Sequence, residues 1–170
     1  MYAAKWEIKD IIKLALYLVF LLGLIYIVLA ATTVPKTLTT AERVWNVLAA
    51  QGYEPQDITQ KYIERDENSA LVKSIVIEKD DLRFEFFVFD NENNAIDLYG
   101  NARASIVLAK NALPNVEVSK KMANYCIYTL KAKGEYNVAI YVGTTAVYAY
   151  CNEENANEIN KILDAIDYLN

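Results

Sequence analysis

The side chains able to do chemistry in this sequence are carboxylates, tyrosines and two cysteines, because histidine does not occur. Without imidazole there is no Ser-His or Cys-His nucleophile pair, which removes the commonest hydrolase arrangements. Neither GxxxxGK[ST] nor GxGxxG is present, and Gly100, Gly134 and Gly143 stand singly. A phosphate-cradling loop needs those glycines so that backbone can approach the anion, so nucleotide use is not predicted. Cys126 and Cys151 form no CxxC pair, and without histidine zinc lacks its usual ligand sets. They read as small buried hydrophobes, with a mutual disulfide as the alternative outside the cytoplasm. The acidic junctions at Asp90 and Glu153 depart from the D-x-[DN]-x-[DN]-G spacing of a calcium loop and read as helix caps. No metal, cofactor or catalytic residue is predicted.

Two groups of residues remain. A pair of carboxylates at the right separation suffices for glycoside hydrolysis, and Glu85, inside the aromatic run Phe84 to Phe89, is the acid that stands out. Its ordinary reading is a strand residue facing outward. Tyr141, Tyr148 and Tyr150 cluster late in the chain, after Tyr125, Tyr128 and Tyr136. On the open side of a sheet such amphipathic rings make a contact platform; the alternative is cross-strand pairing that stabilises the sheet. Tyr128, Tyr141, Tyr148 and Tyr150 are the candidate binding residues.

Positioning them requires a scaffold, and the chain begins with a tether. Leu14 to Ala31 reads LALYLVFLLGLIYIVLAA, and the uncharged stretch continues to Val34. About 20 helical residues cross the ~30 Å hydrocarbon core, so residues 14–34 are predicted as a transmembrane helix. A cleaved signal peptide is the alternative, but its apolar region is typically shorter. Lys5, Lys9 and Lys13 precede the helix, against Lys36 and Arg43 soon after it. The positive-inside rule then keeps residues 1–13 in the cytoplasm and places the rest outside the cell membrane. The lipid bilayer is thus the first predicted partner.

After a linker at 35–38, residues 39–170 make one domain, and a composition of 54% hydrophobic and 23% charged residues predicts a packed core. Thr39-Thr40-Ala41-Glu42 reads as a capping box and Gly52 as the stop of a first helix. Strands are predicted at Ile58–Glu64, Leu71–Glu78 and Leu82–Phe89, the last two as a hairpin, with turns at Asp66–Ser69 and Lys79–Asp81. Ala95, Leu98, Tyr99, Ala102, Ile106 and Ala109 trace a second helix that stops near Pro114. Strands at Lys121–Leu130, Tyr136–Val142 and Ala146–Cys151 follow, then a last helix with the stripe Ala156, Ile159, Ile162, Leu163, Ile166 and Leu169. The fold class is α+β: an antiparallel sheet of five or six strands, helices on one face and Tyr residues on the other.

One echo suggests a finer plan. Asn91-Glu92-Asn93-Asn94-Ala95 and Asn152-Glu153-Glu154-Asn155-Ala156 lie 61 residues apart, each between an aromatic strand and a helix. A duplication would give two αβββ halves plus a final helix; the alternative is that any strand-to-helix junction favours Asn and Glu.

The charge balance is Lys+Arg 17 against Asp+Glu 22, and three of the lysines precede Leu14. Lys120, Lys121, Lys131 and Lys133 are too dilute for phosphate-backbone binding, so no nucleic-acid partner is predicted. The expected function is that of a membrane-anchored extracytoplasmic interaction or ligand-sensing domain with a protein or glycan partner. The alternative is an anchored carboxylate-dependent enzyme acting on surface or cell-wall polysaccharide.

Overall fold

The computed structural model describes residues 8–32, 35–65, 70–108 and 115–169. The chain divides into two compact units, Met1–Val34 and Pro35–Asn170. The first holds one helix, α1 (Ile8–Thr32), whose apolar side chains from Ile12 to Tyr26 are exposed all round. Among the described residues no helix is long and apolar enough to cross a membrane. The described uncharged side chains run from Leu14 to Tyr26, about 20 Å of helix. Those of 27–34, the rest of the predicted span, lie outside the described residues, as do the turn expected at 66–69 and the stop near Pro114.

The second unit is an α+β fold. Its elements are α2 (Ala41–Ala50), β1 (Gln56–Asp57), α3 (Thr59–Ile63), β2 (Leu71–Lys79), β3 (Leu82–Phe89) and α4 (Glu92–Val107). Then come β4 (Asn115–Lys121), β5 (Tyr125–Ala132), β6 (Glu135–Val142), β7 (Thr145–Asn152), a 3₁₀ turn and α5 (Ala156–Ala165). All strands are antiparallel, in the order β1-β2-β3-β7-β6-β5-β4. The sheet therefore has seven strands, not five or six, and two local causes explain the difference.

The run Ile58–Glu64 is not a strand. The Asp57 carboxylate accepts from Thr59 N at 3.0 Å and Thr59 Oγ1 at 2.5 Å. That Asx-type turn takes the backbone out of the ladder after two residues and starts α3. The hydrogen bond from Lys73 and those from Thr59 hold the Asp57 carboxyl down at about 2. Further on, the strand expected at Lys121–Leu130 is β5, which starts at Tyr125, and a further strand, β4, precedes it over Asn115–Lys121 where none was expected, the two joined by a turn at 122–124. Asn124 stabilises that turn from outside: Lys36 N donates to Asn124 Oδ1 at 3.1 Å and Asn124 Nδ2 donates to Lys36 O at 2.8 Å. Residues 35–38, expected as a linker, are thereby hydrogen-bonded into the second unit.

Helix α2 ends as its sequence predicts, with Gly52 at φ 83°, Gly52 N bonded to Ala49 O and Tyr53 N to Leu48 O. This is the Schellman pattern, which needs a left-handed residue. The N-cap is Thr40, accepting from Arg43 N, one residue later than the expected box. Helix α5 ends in the same way, with Asp167 at φ 63°, Asp167 N bonded to Asp164 O and Tyr168 N to Leu163 O.

The helices do not share one face. Val44 and Leu48 of α2 and Ile159, Ile162 and Leu163 of α5 pack over Ile75, Phe84, Phe86, Val138 and Ile140. Helix α4 covers the other face, with Ala95 over Phe87, Tyr141 and Ala146, and Ile106 over Tyr128 and Ala139. Central strands apolar on both sides need cover on both sides, and Phe86-Phe87 and Cys126 to Leu130 are buried throughout. The same placement removes the duplication. Adding 61 to Leu82 gives Gly143, in a turn, whereas β7 starts at Thr145. Asn91 caps α4 by accepting from Asn94 N, but Asn152 makes no side-chain cap and a 3₁₀ turn intervenes. At the 61-residue offset the two halves therefore do not coincide.

Both cysteines are buried and free. Cys126 belongs to the α4 side and Cys151 to the α5 side, so the sheet separates them. Burial, then nearby Asp81, pushes the Cys151 thiol up to about 11, which keeps it protonated and unreactive at neutral pH. A soluble disulfide reagent is therefore expected to titrate neither thiol in the native protein and both after denaturation; rapid native labelling of either would contradict this packing.

Candidate functional site

On the α4 side, one stretch of sheet escapes full cover. Because β3 alternates faces, Phe84 and Phe86 enter the main core, and Arg83, Glu85 and Phe87 point the other way. The register sets Arg83 opposite Tyr150 and Glu85 opposite Tyr148 on β7. These four side chains floor a cleft of about 440 Å³, walled by Tyr62 of α3 and by Leu98, Asn101, Ala102 and Ser105 of α4.

Glu85 is 2% exposed, an unusual state for a carboxylate. Its oxygens are fully engaged: Tyr62 Oη donates to Oε1 at 2.6 Å, and Arg83 donates to Oε2 through Nη2 at 2.9 Å and Nε at 3.3 Å. Arg83 also pairs with Glu78. Burial works against the Arg83 charge, but the hydrogen bond and charge of Glu85 outweigh it and the net direction is upward. Burial, then the hydrogen bond to Glu85, pushes the Tyr62 phenol up to about 12, so it remains a neutral donor. Within the floor the Arg83 charge thus offsets that of Glu85, and both carboxylate oxygens are satisfied. Around it stand aromatic rings. Tyr62 meets Phe87 edge-on at 5.6 Å and Tyr148 tilts against Tyr150 at 5.8 Å. Tyr150 is 39% exposed.

The four predicted tyrosines divide here. Tyr148 and Tyr150 line the cleft. Tyr128 is fully buried beneath α4, with the Arg103 guanidinium 5.0 Å from its ring centroid, and Tyr141 is buried edge-on to Tyr99 at 5.4 Å. The open Tyr face is therefore not there: α4 occupies it, and two of the four rings are core. Tyr125 and Tyr136 lie on the α5 side, where Tyr136 Oη donates to Asn160 Oδ1 at 2.8 Å.

Sequence reading singled out Glu85 but gave it an exposed position, and missed Tyr62, Arg83, Asn101 and Ser105. Arg83 was recoverable, since two residues apart on one strand means the same face. Tyr62 was hidden by reading its segment as a strand. Among the described residues that line the cleft Glu85 is the one carboxylate, and both its oxygens are taken. The arrangement has ring faces, an amide, hydroxyls and a neutralised ion pair, which is a set of groups for binding. Among the described residues no group of three or more His, Cys, Asp or Glu side chains could hold a metal ion.

No protein-family model and no curated protein matches the chain. Two solved structures resemble it loosely. A GTP-binding regulator from Thermotoga maritima is 12% identical, with a TM-score of 0.41 over 78% of this chain and 90% of that one. The extracellular domain of PknH from Mycobacterium tuberculosis is 11% identical, with a TM-score of 0.36 over 79% of this chain and 98% of that one. Neither likeness is close enough to carry a role across.

Proposed function

We propose that this chain is a single-pass membrane protein whose outer α+β unit senses a small neutral ligand, of the sugar or short-glycan class, in the cleft over Arg83 and Glu85. The cleft carries the reading. Its volume falls within the range of small-molecule sites, with a mostly apolar lining and a few placed polar groups. Ring faces at Tyr148 and Tyr150 suit the apolar face of a sugar, and Asn101, Ser105 and Arg83 suit its hydroxyls. A charged ligand would have to disturb an ion pair already satisfied.

The anchor rests on sequence and on helix length. Helix α1 is 25 residues long, about 37 Å, and contains the charge-free run from Leu14 to Ala31. Lys5, Lys9 and Lys13 then keep residues 1–13 cytoplasmic, with residues 14–34 in the bilayer and the sensing unit outside. The polysaccharide-hydrolase alternative needs a second carboxylate across the cleft, and among the described residues the lining supplies Glu85 alone.

The test is a thermal-shift and ligand-observed NMR screen of the full chain in nanodiscs against a panel of mono- and oligosaccharides. Saturable binding that weakens at least tenfold in both Tyr150→Ala and Asn101→Ala, with unfolding temperature unchanged, is expected. Binding indifferent to both substitutions, or none across the panel, would overturn the reading.

A further inference from the structure

The two edges of the sheet are unequal. At one side β1 offers two residues, too few to receive a strand. At the other, β4 presents seven residues whose outer edge pairs with no described strand. The register with β5 sets Val116 opposite Lys131 and Val118 opposite Thr129. There, beyond the cover of α5, Val116 is 61% and Val118 53% exposed. A regular edge with outward valines is an unused pairing template, and proteins ordinarily blunt or cover such edges.

We infer that β4 pairs antiparallel with β4 of a second copy of this chain, joining two sheets through a twofold axis near Val118. The strand Asn115-Val116-Glu117-Val118-Ser119-Lys120-Lys121 is complementary to itself when reversed, with its acid early and its bases late. With Val118 facing its own counterpart, Val116 lies against the aliphatic stem of the partner's Lys120. Glu117, Ser119 and Lys121 share the other face, so each Glu117 sits diagonally from the partner's Lys121, within reach of long side chains. The reversed order repeats both contacts, as an isologous interface requires. Pairing β4 to β1 of another copy would instead build an open chain of molecules, and two residues of β1 cannot support it. The inference is independent of the cleft and of its ligand.

The test is oxidative crosslinking of the full chain in nanodiscs or native membrane, possible because both natural cysteines are buried. Val118→Cys is expected to give a covalent dimer, and Asn157→Cys, exposed on α5, is expected to give at least fivefold less. In the Val118→Cys background Lys121→Glu should cut crosslinking at least fivefold, since Glu117 would then face a carboxylate. Glu117→Lys with Lys121→Glu should restore it. Circular dichroism identifies any variant that has failed to fold. Equal crosslinking at 118 and 157, or a Lys121→Glu chain that folds and crosslinks undiminished, would overturn the inference.

Discussion

Glu85→Ala is expected to lower the unfolding free energy by about 3 kcal/mol, far more than an acid on a strand normally costs to remove. The substitution strips Tyr62 Oη of its acceptor and leaves Arg83, three-quarters buried, with Glu78 as its remaining anion. Glu85→Gln keeps the shape and one oxygen, so its cost should be nearer 1 kcal/mol. Arg83→Met with Glu85→Leu removes both charges together and should recover much of the loss, because a well-packed apolar pair can match a buried ion pair. Urea unfolding followed by circular dichroism reads all three. A Glu85→Ala protein within 1 kcal/mol of the parent would mean that the carboxylate is not held as described.

Tyr168→Ala should cost about 4 kcal/mol although the residue stands at the end of the sequence. Terminal residues are usually dispensable, but Tyr168 is fully buried, 6.3 Å from the Phe86 ring, with its hydroxyl 2.5 Å from Thr145 Oγ1. The left-handed turn at Asp167 is what folds the chain back and inserts the ring. Tyr168→Phe isolates the hydroxyl and should cost about 1 kcal/mol. If truncation before Tyr168 left the unfolding midpoint unchanged, the ring would not be part of the core.

Much of the scaffold was legible in the sequence because local rules determine it. The period of two placed β2, β3, β6 and β7 to within a residue or two, and the Gly52 stop and the Asn91 cap were readable from single residues. The misses came from interactions that periodicity does not encode. Asp57 diverted a β-rich segment into α3 through its own side chain, and Asn124 made a turn with help from Lys36, 88 residues away in sequence. Helix placement failed for a different reason. The stripe of α4 specifies that it covers something apolar, but Phe84 to Phe87 offers apolar residues on both faces, so the side it takes is settled by the whole topology. The candidate site suffered from that same ambiguity: covering the second face turned Tyr128 and Tyr141 into core, and left the cleft where α3 and α4 fail to meet over Arg83 and Glu85.

The strand order also governs when this unit can fold. Strand β3, in the interior of the sheet, is bonded on one side to β2, made just before it, and on the other to β7, which leaves the ribosome only after β4, β5 and β6. Until then the emerging β2–β3 hairpin carries Phe84, Phe86 and Phe87 beside an open edge, with neither α4 anchored nor α5 yet translated. Pairing across so long a stretch of chain is slow. The sheet therefore cannot close until β7 has emerged, and the interval before that is when this unit depends most on being shielded from its neighbours.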